Sequence, residues 1–291
     1  MPELKTVSAL AAWARQSLSQ AGVSHAAQEA IWLLAHALGV RSHQLVSEAD
    51  RLVLPDVCAR AESLIARRVA REPLQYLLGT QEFCGLEFSV TPAVLIPRPE
   101  TELLVHQTIR HLDAHPDATI VDVGTGSGCI ASILASRLSG RRILAIDRSP
   151  EALAVAKANA ARHKVLDRIE WLEGDLLAPL RGRLSEGSVD VIVSNPPYIS
   201  ESDWANLEPE VRVFEPRMAL VGGKSGTELH ARLLRESLEF LAPGGLLVME
   251  IGIGQAQMIR QLASQIGGYA ALRIIEDAAG IERVVVAQRV E

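Results

Sequence analysis

The sequence predicts an α/β fold: a mostly parallel seven-stranded sheet with an antiparallel terminal hairpin, preceded by a small N-terminal helical bundle. From residue 117 onward, short apolar runs alternate with helical segments, the pattern of a parallel sheet covered by helices on both faces. The last two apolar runs, 271–275 and 283–287, are separated only by an Asp-Ala-Ala-Gly turn. Because no helix lies between them, we expect them to pair antiparallel at one edge of the sheet.

Composition limits the function classes. With 48% hydrophobic and 22% charged residues, the 291-residue chain is expected to be globular, with two domains or one large domain and an appendage. Three scattered cysteines, no apolar leader and no apolar run of ~20 residues predict a cytoplasmic protein without a membrane partner or a metal site. The net charge of −6 disfavours duplex binding, which depends on phosphate neutralisation. We interpret Arg67, Arg68 and Arg71 as the solvated face of a helix.

Residues 1–80 are predicted to form a helical domain. Apolar residues recur at helical spacing between Ser24 and Gly39, and again from Pro55 onward. Pro55 suits the first position of a helix, and Pro73 closes the second pattern. The histidines of this region are dispersed and have no catalytic spacing.

Residues 81–99 are expected to form a short β-hairpin and a linker. Aromatic and branched residues alternate around Gly85, which is typical of a hairpin. Arg98 then lies between Pro97 and Pro99, just before a helix is predicted to begin. Two interpretations remain open: a stiff linker whose acids favour the first helical turn, or an arginine held in place to meet a carboxylate.

The α/β domain is predicted over residues 100–291. Ser149, Pro150 and Glu151 have the pattern of a helix cap, a first-turn proline and a first-turn acid, after the second strand. A helix is also expected after the first strand, to about residue 138. Five strands are predicted before the hairpin, at residues 119–123, 142–146, 169–172, 189–193 and 246–249.

A glycine-rich loop follows the first strand. It consists of Gly124, Thr125, Gly126, Ser127 and Gly128. Its glycines allow a ligand to approach the backbone and the chain to turn into a helix. Asp147 ends the next strand, where a carboxylate can accept both hydroxyls of a ribose. This arrangement serves NAD and S-adenosylmethionine alike, but the spacing is not the dinucleotide G-x-G-x-x-G and the terminal hairpin is foreign to dehydrogenases. S-adenosyl-L-methionine is therefore favoured.

Two further strands end in polar residues. Asp175 follows the third strand and is placed to accept from an adenine amino group, although a surface turn would also explain an aspartate there. Asn195-Pro196-Pro197-Tyr198 ends the fourth strand. Two consecutive prolines fix φ and remove two donors, which makes a rigid loop. Asn-Pro also opens ordinary turns, but ligands in open α/β sheets lie beyond the carboxyl ends of strands.

Together with Ile-Pro-Arg-Pro-Glu-Thr-Glu at 96–102 and Phe-Glu-Pro-Arg at 214–217, these motifs resemble the HemK-type protein-(glutamine-N5) methyltransferases over nearly the whole chain. The resemblance implies a Rossmann-like class I S-adenosylmethionine-dependent methyltransferase domain and an N-terminal substrate-recognition domain. It also implies methylation of the glutamine in the Gly-Gly-Gln motif of class 1 peptide-chain release factors, without direct nucleic-acid binding. Asn-Pro-Pro-Tyr alone is shared with adenine-N6 DNA methyltransferases, so a nucleic-acid adenine methyltransferase is the alternative. A cofactor-binding module without catalysis is a third.

The resemblance also assigns site roles. In the implied mechanism, Asn195 Oδ1 and the Pro196 carbonyl each accept one N–H of the target amide, and the Asn195 NH₂ group donates towards the cofactor. Tyr198 packs on the amide plane. Leu176 stands where family members can carry an aromatic residue that stacks on adenine. The catalytic residues are expected to be Asn195, Pro196 and Tyr198; the cofactor-binding residues Gly124, Thr125, Gly126, Ser127, Gly128, Asp147, Asp175, Leu176 and Asn195; and the substrate-binding residues Arg98, Asn195, Pro196, Pro197 and Tyr198.

Overall fold

The computed structural model describes residues 5–112 and 116–291, which divide into two compact units. The first unit holds the chain up to Thr80 together with the segment Glu208–Phe214. The second holds Gln81–Leu207 and Glu215–Glu291. Within the described ranges, no helix is both long and apolar enough to cross a bilayer.

The first unit is a helical bundle. Both predicted helices are present, and Gly39 ends the first of them in the left-handed conformation at φ 69°. The residue that precedes this helix is His25, one position beyond the expected Ser24, and its side chain makes no capping hydrogen bond. Buried leucines from all five helices, with alanines from three of them, form one apolar core. The helices are α1 Val7–Gln20, α2 Ala26–Leu38, α3 Gln44–Ser47, α4 Pro55–Val69 and α5 Leu74–Leu78.

A buried ion cluster ties Glu208–Phe214 into this unit. Arg68, only 6% exposed, donates through Nε to Glu29 Oε2 at 2.6 Å and through Nη1 to Glu210 Oε1 at 3.0 Å. Arg71 Nε lies 2.8 Å from the same Glu210 oxygen. Burial alone would raise the pKa of Glu210, but its own backbone amide and the two arginines lower it on balance. The interpretation of these arginines as a solvated helix face is therefore wrong for Arg68.

The second unit contains the predicted sheet. Its strand order is β10-β11-β9-β6-β3-β4-β5. β11 is antiparallel to both of its neighbours, β10 and β9, and the strands from β9 to β5 are mutually parallel. The expected α/β fold with a terminal antiparallel hairpin is confirmed. The strands are β1 Thr80–Phe83, β2 Leu86–Ser89, β3 Thr119–Val123, β4 Arg142–Asp147, β5 Ile169–Glu173, β6 Val189–Ser194, β7 Ile199–Ser200, β8 Val221–Gly223, β9 Leu241–Glu250, β10 Tyr269–Glu276 and β11 Glu282–Arg289.

Helices cover both faces of the sheet and enclose one apolar core on each. The predicted cap is confirmed: Ser149 Oγ accepts from Ala152 N at 3.0 Å, and Pro150 is the first residue of its helix. One strand begins earlier than predicted, because β9 already pairs with β6 at Leu241, ahead of an irregularity at residues 242–245. The helices are α6 Thr101–Leu112, α7 Cys129–Arg137, α8 Pro150–Arg162, α9 Glu201–Trp204, α10 Glu228–Phe240 and α11 Ala256–Ile266.

Candidate active site

The carboxyl ends of β3, β4, β5 and β6 border a cavity of about 370 Å³ in the second unit. This volume lies within the ~300–1,000 Å³ of small-molecule sites. No cluster of metal-ligating side chains occurs among the residues that the structure describes. Gly128, Pro196 and Tyr198 are not among the described residues that line the cavity. The predicted site residues that do line it are Arg98, Gly124, Thr125, Gly126, Ser127, Asp147, Asp175, Leu176, Asn195 and Pro197.

Asp147 shapes the glycine-rich loop. Its Oδ2 accepts from Gly126 N at 2.8 Å, and its Oδ1 accepts from Ser149 N at 2.9 Å. Gly124 and Gly126 adopt φ values of 72° and 55°, which an L side chain rarely tolerates. Each carboxylate oxygen keeps a lone pair after these bonds, so Asp147 can still accept from a ligand hydroxyl.

Asp122 holds the same loop from below. It is fully buried, and its Oδ2 accepts from Thr125 Oγ1 at 2.6 Å and from Ala131 N at 3.1 Å. Burial raises the pKa of this carboxyl to about 7, although the two hydrogen bonds oppose the change. Two acids, Asp122 and Asp147, thus fix the loop between them, and only Asp147 was among the predicted site residues.

Gly128 has a packing role. At φ 75°, a Cβ added there would come within 2.8 Å of Ala156 Cβ on α8. Glycine is therefore required where α7 and α8 approach each other, and no ligand contact is needed to explain it.

Asp175 and Leu176 follow β5. The exposed Asp175 carboxylate accepts from Arg232 Nη2 at 2.8 Å through Oδ2, so a ligand would share this carboxylate with an arginine. Leu176 is a non-glycine residue at φ 47°, a strained backbone conformation on the cavity wall. Strain of this kind is typical of ligand sites, where the surrounding structure holds it in place.

Asn195 follows β6, as expected for a group at a strand end. Its Nδ2 donates to Thr101 Oγ1 at 3.0 Å. Its Oδ1 accepts no hydrogen bond from the described residues and lies at the cavity, so it remains available to a donor from outside. Pro196 is buried and does not line the cavity, and its carbonyl accepts no hydrogen bond from the described residues. The backbone of the loop is supported closely from behind, since a Cβ at Gly222 would overlap the Pro197 carbonyl and one at Gly226 the Tyr198 carbonyl.

Thr101 and Tyr198 meet at one buried carboxylate. Glu250 is 1% exposed and accepts from Thr101 Oγ1 at 2.6 Å and from Tyr198 Oη at 3.3 Å. Burial raises the pKa of Glu250, against the opposing hydrogen bonds. Sequence reasoning assigned no role to Thr101 or Glu250. The available signal was that Glu250 is an acid directly after the predicted strand 246–249; the structure shows that this strand, β9, pairs with β6.

Arg98 meets a carboxylate of its own chain. Its guanidinium pairs with the buried Glu215, whose other oxygen accepts from Ile96 N at 3.1 Å. Arg98 also lines the cavity. Of the two interpretations of the proline-flanked arginine, the geometry matches the one in which it meets a carboxylate, here that of the Phe-Glu-Pro-Arg segment.

Known proteins share this organisation. Residues 9–79 match the family model of the PrmC N-terminal domain, and residues 100–208 match that of the methyltransferase small domain. The fold is similar to that of a methyltransferase from Pyrococcus furiosus, with a TM-score of 0.51 and 18% identity, over 80% of this chain and 100% of that one. It is also similar to the hMettl16 catalytic domain in complex with MAT2A 3'UTR hairpin 6, with a TM-score of 0.55 and 18% identity, over 82% and 84%. At these identities the likeness concerns the fold alone.

Sequence similarity is much closer to two bacterial proteins. The chain is 43% identical to a release factor glutamine methyltransferase from Geobacter sulfurreducens, over 98% of this chain and 97% of that protein. It is 41% identical to one from Nitratidesulfovibrio vulgaris, over 98% and 95%. These matches confirm the resemblance noted in the sequence. The chain therefore belongs to the family of release factor glutamine methyltransferases.

Proposed function

We propose that the protein transfers a methyl group from S-adenosyl-L-methionine to the side-chain amide nitrogen of the glutamine in the Gly-Gly-Gln motif of class 1 release factors. The observation that carries this proposal is the Asn195 amide. It is held at a strand end through Nδ2, while its oxygen is left without a donor at a cavity of cofactor size.

The residues around the cavity fit this cofactor. The left-handed glycines give a backbone loop that a ligand can approach, and a Cβ at Gly124 would meet no protein atom within 4 Å. Asp147 has lone pairs for the ribose hydroxyls, and Asp175 lies at the wall for the adenine amino group. Bound there, S-adenosylmethionine supplies a methyl group on a sulfonium, which is reactive towards a weak nucleophile.

The loop residues orient the target amide. An amide nitrogen is a poor nucleophile because its lone pair is delocalised. Asn195 Oδ1 and the Pro196 carbonyl would each accept one N–H, and such orientation can supply up to ~7–11 kcal/mol. The same acceptors stabilise the positive charge that grows on nitrogen. Tyr198 Oη is committed to Glu250, so the hydroxyl serves the loop, and its ring is the part left for the target.

The test sets a release factor against adenine-containing DNA, with a tritiated methyl donor. Label on the Gly-Gly-Gln glutamine, located by mass spectrometry, is the expected result. Label in the DNA with none on the glutamine would replace this proposal with the adenine-N6 alternative. Asn195→Ala should lower kcat by about 10²–10³-fold, as for loss of one transition-state hydrogen bond, with a smaller effect on cofactor affinity. Asn206→Ala, at an exposed asparagine, is the matched control.

A further inference from the structure

Methyl transfer to a glutamine amide depends on which way the Asn195 amide points. The oxygen and nitrogen of a side-chain amide occupy nearly the same space, so shape alone does not choose between the two orientations. If the Asn195 NH₂ group faced the target amide, donor would face donor, and the target N–H groups would have no acceptor. Some neighbouring group must therefore set the direction.

The partner of Asn195 is a hydroxyl, which both donates and accepts. Thr101 Oγ1 is 3.0 Å from Asn195 Nδ2 and is buried at the first residue of α6. Alone, this hydroxyl could turn its hydrogen towards an amide oxygen as readily as it could accept from an amide nitrogen. The orientation of the Asn195 amide therefore depends on which group accepts the Thr101 hydrogen.

That hydrogen is held by Glu250. The distance of 2.6 Å from Thr101 Oγ1 to Glu250 Oε2 is that of a short charge-assisted hydrogen bond. An ionised carboxylate only accepts, so Thr101 must donate to it and is left to accept from Asn195. Tyr198 donates to the other oxygen of the same carboxylate.

We propose, on the basis of the function proposed above, that Thr101 and Glu250 are positioning residues that fix the direction of the Asn195 amide. The Glu250 carboxylate accepts a hydrogen bond from the Thr101 hydroxyl, and the Thr101 oxygen accepts one from Asn195 Nδ2. Asn195 Oδ1 therefore points towards the target. The same carboxylate holds Tyr198, so one buried charge aligns both ends of the loop.

The relay depends on Glu250 being ionised. A proton on Oε2 would donate to Thr101, free the Thr101 hydrogen for Asn195, and favour the reversed amide. Burial raises the pKa of Glu250, and Glu100 adds to this, whereas Thr101, Tyr198 and Arg283 oppose it. His230 donates to the Glu250 backbone carbonyl at 2.9 Å, and burial lowers the pKa of His230. Transfer should therefore fail as the pH falls through the raised pKa of Glu250.

Thr101→Val is the first test, because it keeps the shape and removes the hydroxyl. We expect kcat for release factor methylation to fall about 10- to 100-fold with KM for factor and cofactor within about threefold, since Thr101 is argued to act through Asn195. Thr101→Ser should restore most of the activity. Thr108→Val is the matched control, because it removes a buried hydroxyl that donates within the same helix, to the Leu104 carbonyl at 3.0 Å.

Glu250→Gln tests the charge. The ratio of its kcat to that of the wild type should rise as the pH falls, because only the wild type has Glu250 to protonate, and titrations common to both proteins cancel. Because burial raises the pKa of Glu250, the folded state binds more protons there, and its stability decreases as the pH rises through that value. Glu250→Gln should thus melt no lower than the wild type at pH 8, which a purely structural role would not allow.

A readout without catalysis completes the test. In protein labelled with ¹⁵N-asparagine, the Asn195 side-chain resonance, identified by its loss in Asn195→Ala, should shift in Thr101→Val and stay in place in Thr108→Val. An unshifted resonance, wild-type kcat in Thr101→Val or a pH-independent ratio for Glu250→Gln would each overturn the inference. If the wild type itself fails to methylate a release factor, the proposed function fails instead, and the resonance still tests the hydrogen bond.

Discussion

Asp147→Ala should weaken cofactor binding through two effects that the structure separates. The first is the loss of an acceptor for the ribose hydroxyls, worth about 1.5–3 kcal/mol for a charge-assisted hydrogen bond. At 1.4 kcal/mol per tenfold change, this corresponds to about a 10- to 150-fold higher Kd. The second is the loss of the bonds that Asp147 receives from Gly126 N and Ser149 N, which leaves the loop to be ordered by the ligand. The 10-fold rise in Kd is therefore the minimum expected.

Asp147→Asn distinguishes the two effects. Both carboxylate oxygens accept from backbone N–H groups, at 2.8 and 2.9 Å. An asparagine has a single acceptor oxygen, so it can satisfy only one of them and must point its NH₂ group at the other. We expect this near-isosteric change to raise Kd at least tenfold, a larger effect than its size suggests.

Isothermal calorimetry with S-adenosylmethionine measures both variants, after thermal melting has shown that they are folded. Glu170→Ala is the control, since it removes one carboxylate from a surface pair with Arg142 on the same sheet and should leave Kd within twofold. Unchanged affinity in Asp147→Ala would refute the assignment of this residue. Wild-type affinity in Asp147→Asn would refute its role in ordering the loop.

Two further predictions concern the helical bundle. Arg68→Leu should cost about 3–5 kcal/mol in chemical denaturation, because it leaves the buried Glu29 without its ion partner and Glu210 with Arg71 alone. Arg67→Leu, at a half-exposed ion pair, should cost less than about 1 kcal/mol, and equal losses would contradict the argument. We propose that the bundle recognises the release factor, so a fragment that lacks the first 80 residues should bind cofactor, as judged by calorimetry, but methylate the intact factor poorly. Full activity of that fragment would assign the bundle another role.

The sheet and the positions of its strand ends could be predicted from local pattern. Runs of β-branched residues give strands wherever a segment is buried on both faces, and their ends follow directly. Asp147 and Asn195 were therefore found as strand-end groups without knowledge of the fold. The same reasoning gave the capping role of Ser149, because a cap depends only on residues within one turn.

The second layer of the site could not be predicted in this way. Thr101 and Glu250 lie 149 positions apart, and their contact depends on which strand neighbours β6 and where α6 begins. Arg68 was misjudged for a related reason: a charged residue on an amphipathic helix is normally solvated. Its acidic partner Glu210 comes from a segment 142 positions away. Long-range pairs of buried polar groups have no local signature, so only the folded chain shows them.

The allocation of Glu208–Phe214 to the first unit has a consequence for how the protein is made. The bundle is encoded first, but 134 residues separate Thr80 from Phe214. At synthesis rates of roughly 5–20 residues per second, the missing piece follows about 7–27 s later. During that interval Arg68 has Glu29 as a partner but not Glu210, and the growing chain carries a buried cation with one of its two carboxylate partners. The part of the protein that leaves the ribosome first is thus completed only after the loop containing Asn195 has been synthesised.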